Sequence, residues 1–191
     1  VNETDRHNST RSDQKRIRLV LRDHSVLEAR AHVASGQFLI PYLSGRKRYI
    51  SLTGAVWLAT DEPVDYMVLK VDRILWVSSP DSSIPLMNVM GTSATRQVEI
   101  SLEGGLVLHA NMSLGQRQRL SDYLASAPDF IPLIDAAVSP RNSPLGDIAL
   151  NQDAVRSIRE VRDARPGAMP PAPPAAEPAD AEDVQTGPPL A

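Results

Sequence analysis

Displaced by 81 residues, the chain aligns with itself without a gap, residues 17–77 on residues 98–158. Leu21, Val26, Leu27 and Ala29 meet Leu102, Val107, Leu108 and Ala110, and Gln37, Leu39, Tyr42 and Leu43 meet Gln118, Leu120, Tyr123 and Leu124. Ile50, Leu52, Ala55, Pro63, Leu69 and Asp72 meet Ile131, Leu133, Ala136, Pro144, Leu150 and Asp153. Fourteen identities in 61 pairs compare with roughly three or four expected from ordinary composition. Conservative exchanges (Ile17/Val98, Leu19/Ile100, Val33/Leu114, Val77/Ile158) carry the register through turns as well as strands. The chain is two copies of one small module. Its organisation reads as a polar N-terminal arm (1–16), a first module (17–77), a linker (78–97), a second module (98–160) and a tail (161–191).

Each copy is written in strands. Ile17, Leu19 and Leu21 alternate with Arg18, Val20 and Arg22, a period of two. "RDHS" (22–25) turns the chain in copy one and "EGG" (103–105) in copy two, a hairpin signal before a second strand at Val26–Val33 and Val107–Leu114. "QFLIPYL" and "QRLSDYL" break the alternation and predict a short helical turn. A strand follows at Tyr49–Ala59 and Phe130–Ser139, then a Pro-containing loop. A last hairpin is expected across "LKVDRI" and "LNQDAV", with Asp72 and Asp153 in the turn. The fold class is mainly β: two tandem copies of a small 4–5-stranded barrel or bent sheet with one short helical turn each, and flexible termini. A module of this size buries too little surface to be stable alone, so two copies packed together support each other.

Composition limits the functions to consider. The formal charge of −3 argues against a chain built mainly to hold nucleic acid, where a basic excess supplies the counterion-release contribution. With no Cys, disulfides, thiolate metal sites and thiol nucleophiles are excluded, which suits the cytoplasm. The best apolar run, Leu52 to Ala59, is far below the ~20 residues of a membrane-spanning helix, so any membrane contact is expected to be peripheral or indirect. From Arg165 onward the chain is rich in Pro and Ala and acidic, a composition that builds no core.

The chemistry-bearing residues do not converge. His24 stands in "DHS" between Asp23 and Ser25, but sequence neighbours on strands point to opposite faces, and copy two has Gly105 in its place. His32 and His109 have no partners at metal-ligand spacing. No phosphate-cradling Gly loop or dinucleotide fingerprint is present. No catalytic residue, metal site or cofactor is therefore expected. "GRKRY" (45–49) is the compact basic cluster: Arg46, Lys47 and Arg48 could meet nucleic acid or anionic lipid, and copy two replaces them with "APD".

The copies serve as controls for each other. Val20, Phe38, Ile40, Leu58, Tyr66, Val71, Leu75 and Trp76 are apolar or aromatic, whereas their equivalents Ser101, Arg119, Ser121, Ser139, Asp147, Gln152, Arg156 and Ser157 are polar. If copy two folds with polar groups there, copy one carries surplus apolar surface, including Trp57. Such surface marks an interaction site with Trp as an anchor. Phe38, Ile40, Trp57, Leu58, Tyr66, Leu75 and Trp76 are the expected partner-binding set, and its owner is copy two, another subunit or a membrane-associated partner.

A curved hairpin with an acidic or glycine turn, followed by a closing "L-x-x-D-x-I/V" (Leu69–Ile74, Leu150–Val155), resembles the Sm-like small β-barrels. "DYL" (122–124), Phe130-Ile131, Leu133, Ala136, Leu150, Asp153, Val155 and Ile158 also resemble the pattern of an uncharacterised bacterial family of tandem small β-barrels. The resemblance covers 17–158 and its motifs are structural. An Sm-like relationship implies RNA contact or ring assembly, although neither copy holds a recognisable RNA-binding loop. The expectation is a non-enzymatic structural or adaptor subunit with other protein subunits as partners. One setting would be the cytoplasmic face of a bacterial membrane complex, photosynthetic reaction-centre assemblies being an example. The alternative is an Sm-like nucleic-acid or nucleotide-binding protein using Arg46, Lys47 and Arg48.

Overall fold

The computed structural model describes residues 12–45, 48–80, 85–86 and 93–161. The first half comprises β1 (Ser12–Leu21), β2 (Val26–Ala34), α1 (Leu39–Ser44), β3 (Tyr49–Trp57), β4 (Glu62–Lys70) and β5 (Ile74–Ser78). The second comprises β6 (Ser93–Leu102), β7 (Val107–Gly115), α2 (Leu120–Ser126), β8 (Phe130–Val138), β9 (Ser143–Asn151) and β10 (Val155–Glu160). All pairings are antiparallel and form one open ten-stranded sheet in the order β10-β6-β7-β8-β9-β5-β1-β2-β3-β4. The pairing closes neither half on itself. The first strand of each half also begins earlier than alternation suggests, at Ser12 and at Ser93, so the correspondence extends toward the N-terminal end of both units.

The repeat is visible in the register. Ile17 pairs Ala29 in β1–β2, and Val98 pairs Ala110 in β6–β7. Each second strand bulges against the third at the same place, between Glu28 and Arg30 and between His109 and Asn111. The turns match too: Leu21 N–H donates to the Ser25 carbonyl at 2.9 Å and Leu102 N–H to the Leu106 carbonyl at 2.8 Å. Copy one places His24 at φ 66° where copy two has Gly105 at φ 86°; the left-handed conformation, not a side-chain chemistry, is what the two turns share.

The second turn of each unit departs from expectation. Asp72 and Asp153 lie in short 3-10 turns (Val71–Arg73 and Gln152–Ala154), but these do not join paired strands. β4 pairs with β3 and β5 with β1, so the turn carries the chain from one edge of the five-strand unit to the other. A local sequence signal identifies a turn but not which strands it joins, because pairing is non-local. Pro63 and Pro144, expected in loops, stand second in β4 and β9, where the start of a strand tolerates a missing N–H.

The two halves interlock. β5 of the first pairs with β9 of the second through Trp76↔Leu150, Val77↔Ala149 and Ser78↔Ile148. Across this seam Phe130 and Ala149 enter the apolar cluster built on Ile17, Leu27, Leu39 and Leu52. Val20, Leu75 and Trp76 enter the cluster built on Ile100, Leu108, Met112 and Leu133. The connecting segment contributes as well. The Pro85 and Leu86 carbonyls accept the Leu39 and Ile40 N–H groups at 3.0 Å each, satisfying donors that the start of α1 leaves unpaired.

Candidate interaction edges

A strand order that ends in β4 on one side and β10 on the other leaves two backbone edges without a strand partner among the described residues. On β4, Val68 and Tyr66 share a face with Tyr49 and Ser51 of β3, to which they are matched by the pairs Tyr49↔Lys70, Ser51↔Val68 and Thr53↔Tyr66. Tyr66 is 60% exposed, Val68 53% and Tyr49 51%, and the Tyr66 hydroxyl donates to Ser51 Oγ at 3.2 Å. Three of the five exposed large hydrophobic residues of the described chain thus gather beside one free edge.

The expected partner-binding set is divided by the fold. Leu58 and Tyr66 are exposed, and Phe38 and Trp57 are half-buried. Ile40, Leu75 and Trp76 are not surface residues: Ile40 and Leu75 are each 2% exposed and Trp76 6%. The physical reason is the seam, for Leu75 and Trp76 pack into the apolar cluster of the second half. Of the owners that sequence reasoning allowed for this surface, copy two takes that part of it. Tyr49 and Val68 escaped sequence comparison because Phe130 and Ala149, their equivalents, are also apolar. An apolar-to-polar exchange was the wrong signal for them; the strand order is what sets them apart. Arg48 is exposed, while Arg46 and Lys47 lie outside the described residues, as does the tail from Arg162.

Several of the charged side chains form pairs. Asp23 Oδ1 accepts from Ser25 Oγ at 2.6 Å and from Ser25 N–H at 3.1 Å, a turn bond that holds its carboxyl below the ordinary range. Glu28 is held ionised by Arg16 and Arg18, Asp72 by Lys70, and Glu99 by Arg159. His32 Nε2 lies 3.3 Å from Thr53 Oγ1. His109 borders a cleft of about 340 Å³ with Gln97, Asn111, Asp135 and Asn142. Among the described residues no three His, Asp or Glu side chains are grouped to hold a metal ion, and no helix is long and apolar enough to cross a membrane.

One ion pair links the halves at equivalent positions. Arg22 Nη1 donates to Glu103 Oε2 at 2.7 Å, and these two residues stand opposite each other in the repeat. No family model, curated protein or solved structure matches the chain.

Proposed function

We propose that the chain is a non-enzymatic structural subunit that joins a larger protein assembly through its sheet edges. The observation that carries this reading is the cluster Tyr49, Tyr66 and Val68 beside the unpaired β4. An exposed edge with apolar residues next to it offers main-chain hydrogen bonds and apolar burial together, which is how strands are recognised by other proteins. Glu28, Asp72 and Glu99 are committed to ion pairs, so they have no evident role as acids or bases. On this reading each five-strand half is a bent, barrel-like module of the Sm-like kind, and the absence of Cys fits a reducing compartment. The test is affinity purification of the tagged chain at moderate salt, with and without nuclease. A protein assembly that survives nuclease and is lost with Val68→Lys supports the reading. Co-purified nucleic acid, with nothing retained after nuclease, overturns it in favour of an Sm-like nucleic-acid binder.

A further inference from the structure

We infer that the chain assembles head to tail with further copies of itself, β10 of one copy pairing with β4 of the next. The inference rests on the assembly reading above and names the occupant of the free edge.

The internal seam supplies the template. β5 and β9 are the fifth strand of one copy and the fourth of the other, and they pair. The two strands at the ends of the order, β10 and β4, are again a fifth and a fourth strand. Repeating the seam across chains sets Ser157 opposite Leu69, Ile158 opposite Val68 and Arg159 opposite Met67, in the register of Trp76↔Leu150, Val77↔Ala149 and Ser78↔Ile148.

The side chains agree with that placement on both ends. At the internal seam Phe130 and Ala149 are wholly buried in the neighbouring half, whereas their equivalents Tyr49 and Val68 stand in solvent. On the receiving side, α1 packs against β8, and its Leu39, Tyr42 and Leu43 are buried. In α2 the identical residues Leu120, Tyr123 and Leu124 are only half-buried, as is Ile158, whose equivalent Val77 is fully buried. Each end of the molecule therefore lacks the cover that the internal seam provides, and each carries the residues that would cover the other.

Charge is matched as well. The internal seam sets Arg22 of the first copy against Glu103 of the second. The external seam would set Glu103 against Arg22 of the next chain, again opposite in sign. The external seam has Arg156 and Ser157 where the internal one has Leu75 and Trp76, and Lys70 where the internal one has the hydrogen-bonding Asn151. It is accordingly the weaker of the two, and assembly depends on concentration. A head-to-tail contact closes into a ring if its rotation divides the circle and grows into a filament otherwise.

The chain has no Cys, so an introduced pair reports on this contact alone. Val68→Cys combined with Ile158→Cys should give, on mild oxidation, disulfide-linked multimers in a non-reducing denaturing gel. Tyr66→Cys with Ile158→Cys, displaced two residues along β4 on the same face, should give at least tenfold less. Sedimentation of the unmodified full-length chain should show species larger than 20.8 kDa that grow with concentration, and Val68→Lys should weaken them at least tenfold with the circular dichroism unchanged. A monomer at all concentrations, or cross-linking indifferent to register, overturns the inference. If purification then still yields a different protein that Val68→Lys releases, the assembly reading stands without it; if it yields none, both fall.

Discussion

At the scale of single residues, the consequential positions are those where backbone geometry or burial leaves little choice. Asn151, 3% exposed, donates from Nδ2 to the Ile74 carbonyl at 2.9 Å and accepts from Asp153 N–H at 3.0 Å, tying the corner of one half to the seam strand of the other. Asn151→Leu leaves both groups without these bonds and should lower stability by about 1–3 kcal/mol in urea denaturation. Gly54 sits at φ +53° with open space around a would-be Cβ, so Gly54→Val should cost about 1–2 kcal/mol through backbone strain alone. Gly54→Asn should cost much less, since Asp135 already occupies the equivalent place at φ 50°. Glu28, opposite Arg18 in the β1–β2 register, also receives Arg16, and these bonds hold its carboxyl below its ordinary value of 4.5. Because the folded-state value is depressed, the stabilisation is present above that ordinary value and is lost as pH falls through the folded one. Glu28→Gln should therefore cost about 1 kcal/mol near neutrality and nothing in strong acid, a difference that paired pH-denaturation curves resolve. Much at this scale was legible in the sequence. The exchange of His24 for Gly105 signals a turn geometry common to both copies.

At the scale of elements, strands and helices were legible because each depends on local pattern: alternation in β1, the Leu-Tyr-Leu spacing in α1. Which strands pair was not, since a turn such as Val71–Arg73 looks the same whether it closes a hairpin or crosses to another edge. That distinction decides the fate of equivalent aromatics. Phe130 at the start of β8 is fully buried in the seam, and Phe130→Ala should cost about 3–5 kcal/mol of stability. Tyr49, its counterpart at the start of β3, should lose no more than about 0.5 kcal/mol on truncation to Ala when measured under dilute, monomeric conditions. Similar losses for both would contradict the burial described. Leu75→Arg and Trp76→Ser, which the residues of copy two make look harmless, should instead destabilise the chain, because β9 covers those side chains and nothing covers Arg156 or Ser157.

At the scale of the molecule, the two halves exchange core residues and so should not melt independently. Heating should give one calorimetric transition for residues 12–161. A fragment ending at Pro80, deprived of Phe130 and Ala149 and exposing Trp76, should show no cooperative unfolding at all. The repeat made a two-unit body legible, but its shared cores depend on β5 meeting β9, a contact no local pattern encodes. That contact also has a history within each molecule. The ribosome completes β5 at Ser78 and must add 73 more residues before β9 ends at Asn151. At about 5–20 residues per second, the wait is roughly 4–15 s. During it a first unit whose core is still incomplete leaves apolar residues such as Trp76 open to neighbouring polypeptides on the same messenger. Tethering its proper mate on the same polypeptide, at an effective concentration in the millimolar range, gives the correct pairing the advantage once that mate emerges.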